Sequence, residues 1–234
     1  YAAAASHEVR GELLARTLLE EDLVLFRTED GSARALLDRC THRFAPLSQG
    51  RLCADRVVCP YHGMEYDGKG VCTHIPGQDR IPVQARVKAF PVLERYGLIF
   101  VWMGDPERAD SALLVDIPQY ESSGWGISRG YAVFACNWRL ITDNLIDPAH
   151  TTFVHQRTIG NDAGADVRLS SEMVGDRTVS CGRWINNSLP VPIVKRFANP
   201  SGNVDRWQFY YVTAPSTCWV DFGCMPTGTA HTAE

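Results

Sequence analysis

The chain has 234 residues, 45% of them hydrophobic, 21% charged and 10% aromatic, and its formal net charge is −4. That length and balance describe a globular protein of one large domain or two ordinary ones, with enough apolar residues for a sizeable core. No basic block is present, which excludes an electrostatic footprint for nucleic acid or an anionic membrane. The longest strongly apolar run, Gly97 to Met103, falls far short of the roughly 20 residues that span a bilayer.

The first residue is Tyr1 rather than Met, with no signal-peptide pattern behind it, so a trimmed start is expected. Eight cysteines are too sparsely placed for the disulfide framework of a small secreted domain. A reducing cytoplasm, with some thiols used as ligands, is the expectation.

Short β-type segments fill the first hundred residues: Leu23–Arg27, Arg34–Leu37, Arg56–Cys59, Met64–Tyr66, Arg86–Phe90 and Leu98–Met103. Turn signals at Glu29-Asp30-Gly31 and Asp67-Gly68-Lys69-Gly70 punctuate them, giving a small antiparallel β domain over residues 1–104. Residues 105–124 are polar and carry Pro and Ser, as a linker does. From residue 125 a second, α+β domain is expected. Its elements are a strand over Gly126–Ala135, a helical stretch over Trp138–His155, and strands over Thr178–Ile185, Trp207–Thr213 and Thr217–Cys224.

The first domain contains "CTHRFAPLSQGRLCADRVVCPYHG", in which Cys40-x-His42 and Cys59-x-x-His62 stand sixteen residues apart. Thiolate and imidazole are both transition-metal ligands. Two of each suit one tetrahedral Zn²⁺, or a [2Fe–2S] cluster of the Rieske type with two Cys on one iron and two His on the other. The mixed C-x-H and C-x-x-H turns differ from a zinc finger's paired cysteines and paired histidines, and favour the cluster. Cys53, Cys72, Cys136, Cys181, Cys218 and Cys224 read as ordinary, partly buried thiols, and His74 as a surface loop residue.

The second domain contains "DNLIDPAHTTFVH", with Asp147-x-x-His150 and His155 on the helical stretch. Two His with a carboxylate from elsewhere form the facial triad of mononuclear non-haem Fe(II). Five residues on a regular helix turn through about 140°, so His150 and His155 share a metal only if the helix breaks. Asp147-Pro148 offers the break, because Asp caps well and Pro tolerates the first helical position. Asp147 also lies three residues before His150, placed to accept that ring's N–H.

Together these two motifs resemble the oxygenase components of Rieske non-haem iron oxygenases, over essentially the whole chain. The wording "CTHRFAPLSQG…CPYHGMEYDGKGVC" and "NWRLITDNLIDPAHTTFVH" is most similar to the vanillate O-demethylase and dicamba monooxygenase group. The resemblance implies that Cys40 and Cys59 hold one cluster iron, His42 and His62 the other, and His150 and His155 the mononuclear Fe(II). It makes Asp147 a bridging carboxylate that gates electron transfer, and Asn144 a polar neighbour of the iron. Respiratory Rieske proteins carry a disulfide at the positions of Ala45 and Tyr61; its absence here implies a lower-potential cluster.

The family's third iron ligand is a late Asp, and none of Asp162, Asp166, Asp176, Asp205 or Asp221 matches its motif. That ligand is expected beyond residue 234, and a helix-grip-like catalytic domain incomplete at its C-terminus is expected with it. The implied activity is O₂-dependent hydroxylation or O-demethylation of a methyl- or methoxy-substituted aromatic acid. Electrons come from NADH through a reductase or ferredoxin, in a head-to-tail homotrimer. Aromatic cis-dihydroxylation is the neighbouring alternative. A Rieske electron carrier and a zinc-stabilised binding module are the alternatives from other classes. A carrier needs only the first domain.

Overall fold

The computed structural model describes residues 1–229. The chain divides into two compact units, Tyr1–Ile127 and Ser128–Glu234. As expected for an α+β chain with an antiparallel sheet, every strand pairing among the described residues is antiparallel and helices are few there.

In the first unit the strands are β1 (Ala2–Ala5), β2 (Leu14–Leu18), β3 (Glu21–Arg27), β4 (Ala33–Leu37), β5 (Arg51–Cys53) and β6 (Arg56–Val58), followed by β7 (Glu65–Tyr66), β8 (Cys72–His74), β9 (Ala89–Phe90), β10 (Val92–Arg95) and β11 (Leu98–Val101). They make three sheets, ordered β1-β11-β10, β2-β3-β4-β9 and β5-β6-β7-β8. β3 explains how these stack. Its residues Leu23 and Leu25 point into one core with Ala35, Phe90 and Ile99. The alternate residues Val24 and Phe26 point into another with Leu36, Leu47, Val57 and Tyr66. All four side chains of β3 are fully buried, each stabilising by roughly 1.5–3 kcal/mol. The second core also encloses Cys40 and Cys59.

Short strands of low β-propensity, such as the Ala2–Ala5 run and Cys72–His74, form because a neighbour offers hydrogen-bonding groups, which periodicity does not reveal. His74 is therefore the exposed last residue of a strand rather than part of a loop. The Arg86–Phe90 segment is strand only at Ala89–Phe90, since Arg86 and Val87 pair with the Gly70–Val71 turn instead. Residues 105–124 carry three single 3₁₀ turns. The Tyr96 hydroxyl donates to Asp116 at 2.7 Å and accepts from the Ile117 N–H at 2.9 Å, fastening this segment to the first unit.

The second unit contains α1 (Trp138–Leu145), α2 (Thr151–Val154), β12 (Ser170–Val174), β13 (Thr178–Ser188), α3 (Pro192–Phe197), β14 (Val204–Thr213) and β15 (Thr217–Pro226). The strands form one sheet in chain order. Gly126–Ala135 is not a strand: all its residues are exposed and no strand pairs with it among the described residues. An extended segment becomes a strand only when a neighbour takes up its backbone groups.

Register separates the two faces of this sheet. Arg183 stands opposite Gln208, and Gln208 opposite Phe222; one residue along, Trp184 stands opposite Trp207, and Trp207 opposite Gly223. The first set faces the helices: Gln208 reaches Thr151 of α2, and Thr142 of α1 hydrogen-bonds the Cys218 thiol. The other face is aromatic, with Trp184 and Trp207 5.3 Å apart and Tyr211 stacked on Trp219 at 3.8 Å.

Candidate metal centres

The first centre stands on two loops that share one hydrogen-bond pattern. In the first, the Cys40 N–H donates to Ala45 O at 2.9 Å and the Phe44 N–H to Cys40 O at 3.0 Å. In the second, the Cys59 N–H donates to Met64 O at 2.8 Å and the Gly63 N–H to Cys59 O at 3.1 Å. Each loop turns through a left-handed residue four positions after its cysteine, Phe44 at φ 58° and Gly63 at φ 72°. Such a turn folds each chain back, so a histidine two or three residues past the cysteine projects from the tip while the thiol points inward. Asp38 braces the first loop by accepting from the N–H and hydroxyl of Ser48.

The result is a divided donor set. Both cysteines are 2% exposed and contact one another, whereas both histidines are exposed at the loop tips. The Nδ1 atoms of His42 and His62 stand 3.2 Å apart. A tetrahedral metal bound at about 2.1 Å holds two ligand nitrogens about 3.4 Å apart, so this separation fits a single ion between the rings. No three His, Cys, Asp or Glu side chains among the described residues converge on one ion. Paired thiols and paired imidazoles facing separate points suit two metals, as in a Rieske cluster, better than one zinc.

Burial holds the Cys59 thiol above its ordinary pKa. Tyr61 and His62 N–H donors pull against that, and Cys40 reinforces it. Tyr66, fully buried on β7, places its hydroxyl 3.2 Å from Cys40 Sγ and 2.9 Å from Thr41 Oγ1. Burial, then the Cys40 contact, keep that hydroxyl protonated well past the usual phenol range. Tyr61 stacks on His62 with centroids 4.0 Å apart.

The second centre forms where the helical stretch breaks. α1 ends at Leu145 and α2 begins at Thr151, leaving Asp147-Pro148 in the gap. Asp147 Oδ1 caps the new turn by accepting from the Ala149 N–H at 2.8 Å, and its Oδ2 lies 3.7 Å from His150 Nδ1. His150 and His155 flank α2 at its two caps, their ring centroids 5.2 Å apart and edge to face. His150 Nδ1 is buried without a hydrogen-bond partner. Asn144 is exposed on α1. The five aspartates after His155 are placed elsewhere. Asp205 accepts from Asn187 and Gly228, Asp221 from Trp207, and Asp162 from Gln156, while Asp166 and Asp176 are exposed.

Residues 1–91 match the family model of the Rieske [2Fe-2S] domain, and residues 134–234 that of the vanillate O-demethylase oxygenase C-terminal domain. The toluene-4-sulfonate monooxygenase system iron-sulfur subunit TsaM1 of Comamonas testosteroni is 39% identical, over 98% of this chain and 67% of its own length. The chain belongs to the oxygenase components of Rieske monooxygenase systems. The dicamba O-demethylase oxygenase component of Stenotrophomonas maltophilia is 40% identical over 88% of this chain and 61% of its own. The crystal structure of dicamba monooxygenase with non-heme iron and dicamba superposes with a TM-score of 0.84 at 34% identity, covering 98% of this chain and 66% of that one. The chain thus spans about two thirds of the length of these relatives.

Within this Rieske oxygenase component, several residues around the centres escape a motif reading. Tyr66 reads as core in a strand, though an aromatic four residues after the His62 of the motif is a usable signal. Arg183, Gln208 and Tyr210 sit in the interior of strands far along the chain, and only the sheet register brings them beneath the His150–His155 loop. The remaining cysteines are free thiols, but Cys53 and Cys136 are exposed rather than partly buried.

Proposed function

We propose that this chain is part of a monooxygenase that hydroxylates or O-demethylates a methyl- or methoxy-substituted aromatic acid, using O₂ and electrons passed from NADH by a reductase or ferredoxin. Cys40 and Cys59 bind the inner iron of the cluster, and His42 and His62 the outer one, through Nδ1. Their exposed ring edges make the exit for an electron. His150 and His155 bind the mononuclear iron, with a carboxylate as the third ligand. When bound, that iron supplies O₂ activation, which no protein side chain can provide.

The protein residues then have definite tasks. Asp147 Oδ2 lies 3.7 Å from His150 Nδ1, near enough to close a hydrogen bond to that nitrogen when iron takes Nε2. Its carboxylate also bridges to His62 of the partner subunit in a head-to-tail trimer, a heterologous contact that closes into a ring. Asn144 lines the approach to the iron, and the helix-facing side of β15, with Val220 and Phe222, offers apolar contact to an aromatic ring. The observation that carries this reading is the convergence of His150 and His155 around a break capped by Asp147. An electron carrier has no use for such a site.

An oxygen-uptake assay with the full-length protein, a reductase, NADH and a panel of methoxylated and methylated aromatic acids tests it. Formaldehyde formed in proportion to oxygen consumed is expected with at least one methoxy acid. Dihydrodiol products would support ring dihydroxylation instead, and reduction without oxygen uptake would support a carrier.

A further inference from the structure

Arg183 is 4% exposed on β13, directly beneath the break between α1 and α2. A buried guanidinium ordinarily meets a carboxylate. This one instead spends four of its N–H donors on neutral acceptors. Nε donates to Gln208 Oε1 at 3.2 Å, Nη1 to Gly164 O at 2.6 Å, and Nη2 to Pro148 O at 3.2 Å and Thr152 Oγ1 at 2.9 Å.

The positions of these acceptors are the point. Pro148 lies two residues before His150, Thr152 lies between the histidines, and Gly164 closes the loop that follows His155. The break removes the helical partner of Pro148 O, because the Thr152 N–H turns to Ala149 O. Arg183, with the Thr151 hydroxyl at 2.7 Å, supplies the missing donors. A Cβ on Gly164 would come within 2.7 Å of Thr152 Oγ1 and 2.9 Å of Arg183 Nη2, so only glycine permits this close approach. Gln208 extends the support to Thr151.

We propose that Arg183 is the positioning residue of the mononuclear iron site: its planar fork fixes the separation and tilt of the His150 and His155 rings by clamping the backbone on both sides of them. The proposal rests on the reading that these histidines share an iron. A planar fork holds several acceptors in one plane at fixed angles, which a lysine ammonium cannot do.

The test uses the full-length holoenzyme, stripped of mononuclear iron with a chelator that leaves the cluster in place, then titrated with Fe(II). Nitric oxide adducts of the reloaded iron are read by EPR. Arg183→Met should weaken Fe(II) binding by at least about tenfold, in the range seen when supporting contacts of metal ligands are removed. It should also change the symmetry of the nitrosyl signal while leaving the cluster signal intact. Arg183→Lys should recover part of the affinity but not the wild-type nitrosyl line shape. If the methionine variant fails to fold, Thr152→Val, which removes a single contact, decides, and the same line-shape change is expected in smaller degree. Variants that melt earlier yet bind Fe(II) with wild-type affinity and line shape would overturn the proposal, leaving Arg183 an ordinary cross-link. Wild-type protein that binds no Fe(II) at all would instead sink the shared-iron reading on which the proposal depends.

Discussion

The two centres are held by opposite means. Around Cys40 and Cys59 the backbone does the holding: two loops repeat the same hydrogen-bond pattern, and both thiols lie inside the core that β3 helps to build. Around His150 and His155 the backbone has been interrupted, and side chains take over its hydrogen bonds: Arg183 from the sheet below and the Thr151 hydroxyl, itself reached by Gln208. A cluster that only exchanges electrons benefits from a rigid, pre-formed cradle. An iron that must admit O₂ and a substrate benefits from ligands on a short, separately supported turn, with coordination positions left open.

The sharpest way to break this contrast is at the cradle. Cys59→Ser removes one of the two buried thiols, and we expect the Rieske EPR signal of the reduced protein to vanish with all NADH-coupled oxygen uptake. A persistent signal of unchanged form would refute the ligand assignment.

Next in size is the charge at the break. Asp147→Asn keeps the cap to the Ala149 N–H, since Asn caps almost as well. We expect both metal sites to survive and turnover to fall by roughly a hundredfold, the scale on which loss of a positioned proton partner slows catalysis. Reoxidation of the reduced cluster at the wild-type rate, with O₂ and substrate present, would reduce Asp147 to a cap.

Tyr66→Phe perturbs the cradle without dismantling it. With Cys40 as a ligand, as proposed, a hydrogen bond to its sulfur favours the reduced cluster, and a net worth of about 1 kcal/mol corresponds to roughly 40 mV for a one-electron couple. The variant should keep its cluster and titrate at a lower potential; an unchanged midpoint would show that the 3.2 Å contact to Cys40 Sγ does no tuning.

The smallest effect belongs to the aromatic face. Trp207→Phe loses the bond from Nε1 to Asp221, 2.9 Å long, at about 1 kcal/mol or 2–4 °C in Tm. Substrate KM should not move, because this face is turned away from the histidines. A changed KM would place the pocket on the wrong side of our sheet.

How much of this was legible in the sequence follows from how local each feature is. The Cys40/His42/Cys59/His62 spacing encodes its own loops, so the first centre could be read directly. Asp147-Pro148 likewise announced a helix break, because proline chemistry acts within a turn. Nothing local, however, marks Arg183 as support for a loop some thirty residues earlier; that follows from strand register alone. The same limit hid the roles of the aromatics at 184, 207, 209 and 211, whose common face only pairing reveals. It also produced the false strand over Gly126–Ala135, whose composition suits a strand but which has no partner.

The central claim, that one chain carries an electron-storing cluster and an oxygen-activating iron that work together, is tested most directly by a single turnover. Full-length protein with its cluster reduced and Fe(II) loaded is mixed with O₂ and a methoxylated aromatic acid that supports uptake, and frozen at intervals for EPR. The account predicts that the reduced-cluster signal decays at the rate at which formaldehyde appears, and that Asp147→Asn slows both together by roughly a hundredfold. Formaldehyde appearing while the cluster stays reduced, or a cluster that oxidises with no product formed, would contradict it.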